Sequence, residues 1–471
     1  MNLPFSRVRE HPGFPEAGGV ARVREMLSIH SPRTIWPGLC GVLRVACVLG
    51  LPIAATALLA SSEWPQFRGP LGDGTAPGSK PPIEWGEGKA VKWFTPVHGK
   101  AWSSPAVAGG KVWITTATEK GTELFVVCLD AASGKVLIDQ KLYDVERPQF
   151  IHAFNSGASP SAVVQGNRVW VTFGSPGTAC LDAQTGKVQW ERRDLECNHY
   201  RGAGSSPVLH DGKLFLNFDG SDRQYVVALE AETGKTIWKV DRSIDYKDLG
   251  ADGKPESEGD WRKAFATCHV AEIDGKTQLL SQGAKAFYGY EPATGRELWR
   301  VEERTSHSAG TRPVVGGGLV FFPTGWSQGQ VLAVRPGRAG EVLDANGTET
   351  NSGPLTVAWR SKRNVPKKPA LLLVGGLLFG IDDNGVATCW EAATGASLWN
   401  ERIGGNDSAS PVSADGRIYF CSEQGKTTVV AVSREFRKLA ENQLGDGFMA
   451  SPAIVDNALL LRSKSGVYRV E

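Results

Sequence analysis

The amino-acid sequence predicts an all-β fold, an eight-bladed β-propeller of four-stranded antiparallel blades whose ring is closed by an N-terminal strand. Two observations lead to this prediction. Two short motifs alternate along most of the chain, and the composition is rich in Gly (56) and Trp (15) but poor in Met (3). Such a composition suits tight turns and aromatic strands better than helices. Self-similarity at a period of about 40 to 60 residues is typical of propeller blades.

The first motif is Ser-Pro, a run of alternating apolar residues, a Gly turn and a second strand, as in SPAVAGGKVWITTA. Asp-Gly and Gly-Gly pairs favour tight hairpins, because such turns need a positive φ that Gly adopts freely. Strong and weaker copies begin at residues 104, 159, 206, 267, 312, 368, 410 and 451. Eight copies predict eight blades, and radial stacking leaves only short, protected sheet edges.

The second motif is a strand, a Thr-Gly or Ser-Gly turn and a strand that usually ends in Trp, as in CLDAQTGKVQW at 180–190. A large flat side chain at one repeat position should pack between neighbouring blades and bury apolar area worth roughly 2–3 kcal/mol apiece. Cofactor stacking by all of these side chains is geometrically implausible. We therefore predict a structural docking role for Trp93, Trp190, Trp238, Trp299, Trp359 and Trp399.

The two ends of the chain predict how the ring closes. The eighth unit ends at SKSGVYRVE with only three strands, and VKWFTPV at 91–97 resembles the missing outer strand. We therefore assign residues 91–471 to the propeller and residues 63–90 to an N-terminal extension.

Residues 1–62 have the composition of a leader. The run VACVLGLPIAATALLA from Val45 to Ala60 is apolar, follows Arg33 and Arg44, and precedes small residues, which is the order of a secretory signal. The run is short for a membrane span and contains a Pro, although an uncleaved anchor is the alternative. We expect export to the periplasm or the extracellular space, with no stable membrane span after cleavage.

The charge balance argues against nucleic acid as a partner. The formal net charge is +2, and residues 1–62 carry six Arg against three Glu. The mature chain is therefore nearly neutral and lacks the basic stripe that a phosphate backbone requires.

The Trp-bearing motif resembles the tryptophan-docking motif of pyrroloquinoline-quinone enzymes and of their propeller relatives, which include the BamB-type assembly factors of the bacterial outer membrane. WPQFRGPLGDG at 64–74 is similar to the start of secreted quinoprotein-like propellers of planctomycete-type bacteria. The resemblance covers roughly residues 64–471. It implies the fold, whereas function must be argued from a site.

The residues give an enzymatic interpretation little support. In the dehydrogenases of this resemblance the quinone lies over a ring of two adjacent cysteines beside a calcium ion, and this sequence contains no Cys-Cys pair. It also lacks the HExxH, CxxC, nucleophile-elbow and phosphate-loop motifs. We predict no catalytic residue, no metal ligand and no cofactor, with pyrroloquinoline quinone and calcium as the alternative.

The loops before each Ser-Pro strand should converge at one mouth of the central channel, where polar groups on a rigid scaffold make a default binding site. Four of the six histidines after the leader lie in these loops. The candidate mouth residues are His98, Trp102, His152, Asn155, His199, Tyr200, Arg201, His307, Arg312, Asn406, Asp407 and Phe448. Solvated loop residues placed by chance are the alternative.

Two long polar insertions, 241–264 and 335–355, are expected to leave the ring and either cap the mouth, meet a partner or remain loops. The leading hypothesis is an exported, monomeric, non-catalytic propeller that binds a protein, a peptide or a cell-envelope component through its mouth. The second hypothesis is a divergent quinone-dependent dehydrogenase of alcohols or sugars.

Overall fold

A computed structural model describes residues 63–347 and 353–471. These residues form eight four-stranded antiparallel blades, which confirms the predicted fold. The predicted leader lies outside the described residues. Within the described residues, no helix is long and apolar enough to cross a membrane.

The first four blades take their strands in chain order. Blade 1 comprises Ala106–Ala108, Lys111–Ala117, Glu123–Asp130 and Val136–Asp144; blade 2 comprises Val163–Gln165, Arg168–Thr172, Thr178–Asp182 and Val188–Arg192; blade 3 comprises Val208–His210, Lys213–Asp219, Gln224–Glu230 and Thr236–Asp241; blade 4 comprises His269–Ile273, Lys276–Gln282, Ala286–Tyr290 and Glu297–Glu302.

The other four blades repeat this order, except for the last. Blade 5 comprises Val314–Gly316, Leu319–Pro323, Val331–Arg335 and Thr356–Ser361; blade 6 comprises Leu372–Val374, Leu377–Ile381, Val386–Glu391 and Ser397–Arg402; blade 7 comprises Val412–Ala414, Arg417–Cys421, Lys426–Ala431 and Lys438–Gln443; blade 8 comprises Ala453–Val455, Ala458–Arg462, Gly466–Val470 and Val91–Pro96.

The ring closes as the sequence predicts. Val91–Pro96 pairs antiparallel with Gly466–Val470, and Phe94 lies opposite Tyr468. The outer strand of the last blade therefore comes from the N-terminal side of the chain.

Five docking tryptophans lie against the next blade. Their indole Nε1 groups donate to backbone carbonyls of the following blade at 2.8–3.2 Å; the pairs are Trp93 with Ala131, Trp190 with Ala231, Trp238 with Pro292, Trp359 with Ala392 and Trp399 with Ser433. Gly134, which follows Ala131 in the turn, has φ +73° and leaves no room for a Cβ above the Trp93 ring. Glycine in the Thr-Gly or Ser-Gly turn thus has two roles: it adopts the positive φ of the turn, and it leaves space for the Trp side chain of the neighbouring blade.

Trp299 differs from the other five. It is fully buried, and its Nε1 donates to Gln278 of its own blade at 2.8 Å. Blade 5 has no Thr-Gly turn to receive it, because the insertion occupies that position. Instead Glu341–Asp344 pairs in parallel with Trp299–Glu302 as a fifth strand on blade 4.

A belt of hydrogen bonds joins the blades at the start of their first strands, which contact one another around the channel. The belt residue of each blade lies two positions before its first strand; in order these are Ser104, Ser161, Ser206, Thr267, Arg312, Ala370, Ser410 and Ser451. Where the belt residue of the next blade is Ser or Thr, its hydroxyl accepts a hydrogen bond from the backbone N–H of the belt residue before it, at 2.8–3.0 Å. The two gaps fall where the acceptor would be Arg312 or Ala370.

Residues 64–76 form a loop inside the channel, called here the channel loop. Trp64 pairs antiparallel with Val107 of blade 1, and Thr75 pairs parallel with Ser413 of blade 7. The first strand of each blade runs away from the mouth. The loop therefore runs toward the mouth where it is antiparallel to blade 1, turns at residues 69–72, and runs away from the mouth where it is parallel to blade 7. Its turn therefore points toward the mouth.

Candidate functional site

The mouth contains two adjoining cavities. The central cavity, of about 170 Å³, is lined by residues from the loops of all eight blades: Trp102, Phe154, Asn155, Ser159, Gly204, Phe265, Ser308, Gly310, Trp326, Lys367, Lys368, Ser408 and Met449. The side cavity, of about 400 Å³, is lined by His152, Phe154, Arg201, Phe265, His307, Ser308, Trp326 and Ser327. Four residues line both, so the two cavities are continuous.

The turn of the channel loop lies near the central cavity. Gly310 lines that cavity, and Arg312, two residues later, donates from Nη1 to the carbonyl of Phe67 at 2.7 Å. Gly72 at the turn has φ +70°, and a Cβ there would meet the Arg312 guanidinium. Next to it, Leu71 is 59% exposed. We call the central and side cavities together the recess.

Arg68 fixes the channel loop to blades 6 and 7. Its side chain is 1% exposed, and its guanidinium donates to the carbonyls of Asp73, Leu371 and Pro411 at 2.5, 2.7 and 3.2 Å. Leu371 and Pro411 occupy equivalent positions in blades 6 and 7. Burial lowers the pKa of Arg68 to about 10, which leaves it charged at neutral pH.

The structure brings six of the predicted mouth residues together. Trp102 and Asn155 line the central cavity, and His152, Arg201 and His307 line the side cavity. Tyr200 precedes Arg201, and its ring lies tilted against Phe150 at the rim, with the ring centres 5.8 Å apart. Asn155 also holds the rim in place, because its Nδ2 donates to the Arg201 carbonyl at 2.9 Å.

The other six lie elsewhere. His98 pairs with Asp139 on the outer strand of blade 1 at 3.0 Å, and Asn406 is exposed. His199, Arg312, Asp407 and Phe448 are buried: His199 accepts from the Ser175 backbone N–H, and Phe448 belongs to the core between blades.

The side cavity has a cationic wall. The guanidinium of Arg201 is 35% exposed and gives one N–H to Asp260 at 3.0 Å, while Lys263 pairs with the same carboxylate. Burial, together with Lys263, Lys285 and Arg201, lowers the pKa of His307 to about 4. The pKa of His152 is lowered by burial, Arg201 and Lys100. Both histidines are therefore neutral at pH 7.

Four residues at this wall have an unfavourable backbone conformation. Tyr200, Arg201, Ser308 and Ser327 all have positive φ (34°, 97°, 55° and 75°) although none is glycine. Such conformations cost about 1–3 kcal/mol each and cluster at ligand sites. Ser306–His307 pairs with Trp326–Ser327 in a two-stranded sheet that fixes the Trp326 turn beside His307.

The sequence interpretation missed Phe265, Trp326, Lys367 and Lys368. Trp326 lies in the turn between strands two and three of blade 5, which reaches the same face as the loops before the first strands. A Trp outside the docking position of its repeat was the available signal.

The residues at the mouth do not fit the quinone and calcium pair of the related enzymes. The sequence has no Cys-Cys pair, and among the described residues no group of three His, Cys, Asp or Glu could hold a metal ion. Burial and Glu423 raise the pKa of Asp407 to about 8. The Glu423 carboxylate already accepts from Lys368 at 2.8 Å and from Ser408 at 2.5 Å.

Comparison with solved structures shows the same fold. BamB from Moraxella catarrhalis matches with a TM-score of 0.54 and 14% identity, over 81% of this chain and 98% of that chain. The computationally designed Ika8 protein matches with a TM-score of 0.53 and 11% identity, over 81% and 99%.

Two curated relatives match in sequence over shorter stretches. Quinohemoprotein alcohol dehydrogenase ADH IIB of Pseudomonas putida is 30% identical over 120 residues, or 24% of this chain and 17% of the relative. The dehydrogenase subunit of the quinone alcohol dehydrogenase of Gluconobacter oxydans (strain 621H) is 28% identical over 147 residues, or 29% and 18%. The matched part spans less than a fifth of either relative.

The family model described as outer membrane protein assembly factor BamB matches residues 123–260 and 288–440, which is more than half of the chain and includes all or part of blades 1 to 7. The chain therefore belongs to the BamB-type family of quinoprotein-like β-propellers.

Proposed function

We propose that the protein is an exported, non-catalytic binding module that holds a protein, a peptide or a cell-envelope component in its mouth. The observation that carries the proposal is the recess itself, because its central cavity takes residues from all eight blades. Concave recesses lined by aromatic side chains with a few polar groups are the usual form of ligand sites.

The proposal draws on chemistry as well as shape. The mouth exposes aromatic side chains, with Phe154 40% and Trp326 37% exposed, and aromatic residues are enriched where proteins bind partners. The residues that would be needed to hold a metal-assisted quinone are not gathered there. Binding without turnover is the activity that these residues support best.

Site-specific photo-crosslinking tests this proposal. Benzoylphenylalanine would replace Phe154 at the mouth or, as a matched control, Leu439, which is 43% exposed on the outer strand of blade 7. In the cells that produce the protein, we expect a discrete adduct from position 154 only. Equal adducts from both positions, or none from 154, would contradict binding at the mouth.

An assay of the purified protein tests the competing enzymatic function. Pyrroloquinoline quinone and calcium would be added, and dye-linked oxidation of alcohols and sugars measured. We expect no saturable quinone binding and no turnover, and quinone-dependent turnover would overturn the non-catalytic proposal.

A further inference from the structure

The charges that line the mouth are all of one sign. Arg201, Lys367 and Lys368 line the two cavities, and no Asp or Glu in the described part of the chain lines either. Lys368 is neutralised by Glu423 at 2.8 Å, and Arg201 shares Asp260 with Lys263. Lys367 has no carboxylate within ion-pair distance among the described residues. The recess therefore carries an excess of positive charge.

Lys367 also lies beside an aromatic surface. Lys367 Nζ is 4.9 Å from the centre of the Trp326 ring, and Trp326 lines the side cavity together with Arg201 and Phe265. A group that binds here would pair anions with Arg201 in the side cavity and with Lys367 in the central cavity, and it would place an apolar body against Trp326, which lines both cavities. Low local dielectric strengthens such a contact relative to water.

The apolar surface continues outside the recess. Phe150, 57% exposed, lies 6.4 Å from the His152 ring and 5.8 Å from the Tyr200 ring, and His152 contacts Phe154 at 4.2 Å. These side chains form a ridge that leads from the side cavity to the outer surface. A ligand that fills only the cavities would leave the ridge uncovered, whereas an extended chain would cover both.

We propose that the mouth binds an acidic peptide segment, with Asp or Glu carboxylates paired with Arg201 and Lys367 and a neighbouring aromatic or branched aliphatic side chain against Trp326. The inference rests on the proposed function and names its ligand class. The aromatic anchor would supply apolar burial, and the carboxylate would supply orientation and selectivity.

Selection from a random dodecapeptide library displayed on phage tests this inference with the purified full chain. We expect enrichment of Asp or Glu within two residues of Phe, Trp or Leu. A selected peptide, synthesised with blocked ends, should bind at least tenfold more weakly to Arg201→Gln and to Lys367→Gln. The matched control is Lys213→Gln, which removes a charge from the first hairpin of blade 3 at the opposite face and should leave binding unchanged.

Three results would overturn the inference. They are enrichment of basic or uncharged peptides, equal binding by all three variants, and binding of free 2-naphthoate as tight as that of the peptide, which would assign the recess to a small carboxylate. In each case a crosslink at position 154 would still support the proposed function. Failure of both the peptide experiment and the crosslink would refute both proposals.

Discussion

The backbone N–H of Ser451 donates to the Oγ of Ser104 at 3.0 Å, joining the last blade to the first across the closure of the ring. This bond repeats the contact that Ser410 makes with Ser451 at 2.9 Å. Serine in the Ser-Pro motif therefore has a defined role. Its hydroxyl accepts a hydrogen bond from a backbone N–H of the preceding blade. That N–H has no strand partner in a neighbouring sheet, so the side chain satisfies it instead.

Replacement of Ser104 by Ala should destabilise the ring. The side chain is 2% exposed, so the Ser451 N–H would lose its acceptor in a place that water reaches poorly, at a cost of about 1–3 kcal/mol. Urea unfolding followed by Trp fluorescence would measure the change. Ser397→Ala is the control, because Ser397 is exposed on blade 6, and an equal loss in both variants would contradict a special role for the belt.

Arg68→Met should release the channel loop while retaining much of the apolar volume. The Leu371 and Pro411 carbonyls would lose their donor, and we expect a loss of about 2–4 kcal/mol from several buried hydrogen bonds to a charged group. Limited proteolysis should cut within residues 64–76 faster than in the unaltered protein. Arg363→Met, at an exposed position, should have no effect on either measurement, and a protected loop in Arg68→Met would contradict this anchoring role.

The blades were predictable from the sequence because each repeats the same local signals. Gly turns, alternating strands and the Trp position recur, and the three-stranded last unit identified Val91–Pro96 as its partner. The repeat alignment was less exact: in blade 2 the belt residue is Ser161, two positions after Ser159 of the Ser-Pro pair. Pro does not by itself mark where the first strand begins.

The candidate site was only partly predictable, because a position in a loop does not say which way a side chain points. His199 and Asn155 lie in equivalent loops, yet His199 is buried against Ser175 while Asn155 lines the recess. Lys367 and Trp326 come from different connections, and only their contact in the fold reveals them as a pair. The channel loop was also unforeseen, because its partners are distant in sequence.

Deletion of residues 91–97 should make thermal unfolding less cooperative, because blade 8 would lose its outer strand and blade 1 would lose the Trp93 contact at Ala131. Calorimetry would show a broader transition, with a van't Hoff enthalpy below the calorimetric enthalpy. Trp93→Ala should show a smaller effect in the same direction. Trp326→Ala at the mouth should leave the transition sharp, and unchanged melting of the deletion variant would contradict closure by this strand.

Asp407 should make stability depend on pH. Burial and Glu423 raise its pKa in the folded protein to about 8, and its Oδ2 has no hydrogen-bond partner in the part of the chain that the structure describes. An unfolded chain would release the proton near pH 4, so the folded state binds more protons between about pH 4 and 8. The contribution of this group to stability is therefore full at low pH and falls as the pH rises, by at most about 1.4 kcal/mol per pH unit.

Asp407→Asn removes this titration while retaining the shape of the side chain. Urea unfolding at intervals from pH 5 to pH 9 should show that the variant gains stability relative to the unaltered protein as the pH rises, with the difference levelling above about pH 8. Asp456→Asn, in an exposed hairpin turn of blade 8, is the matched control and should follow the unaltered protein throughout. Parallel curves for Asp407→Asn and the unaltered protein would show that Asp407 is ionised across this range, which would contradict the raised pKa.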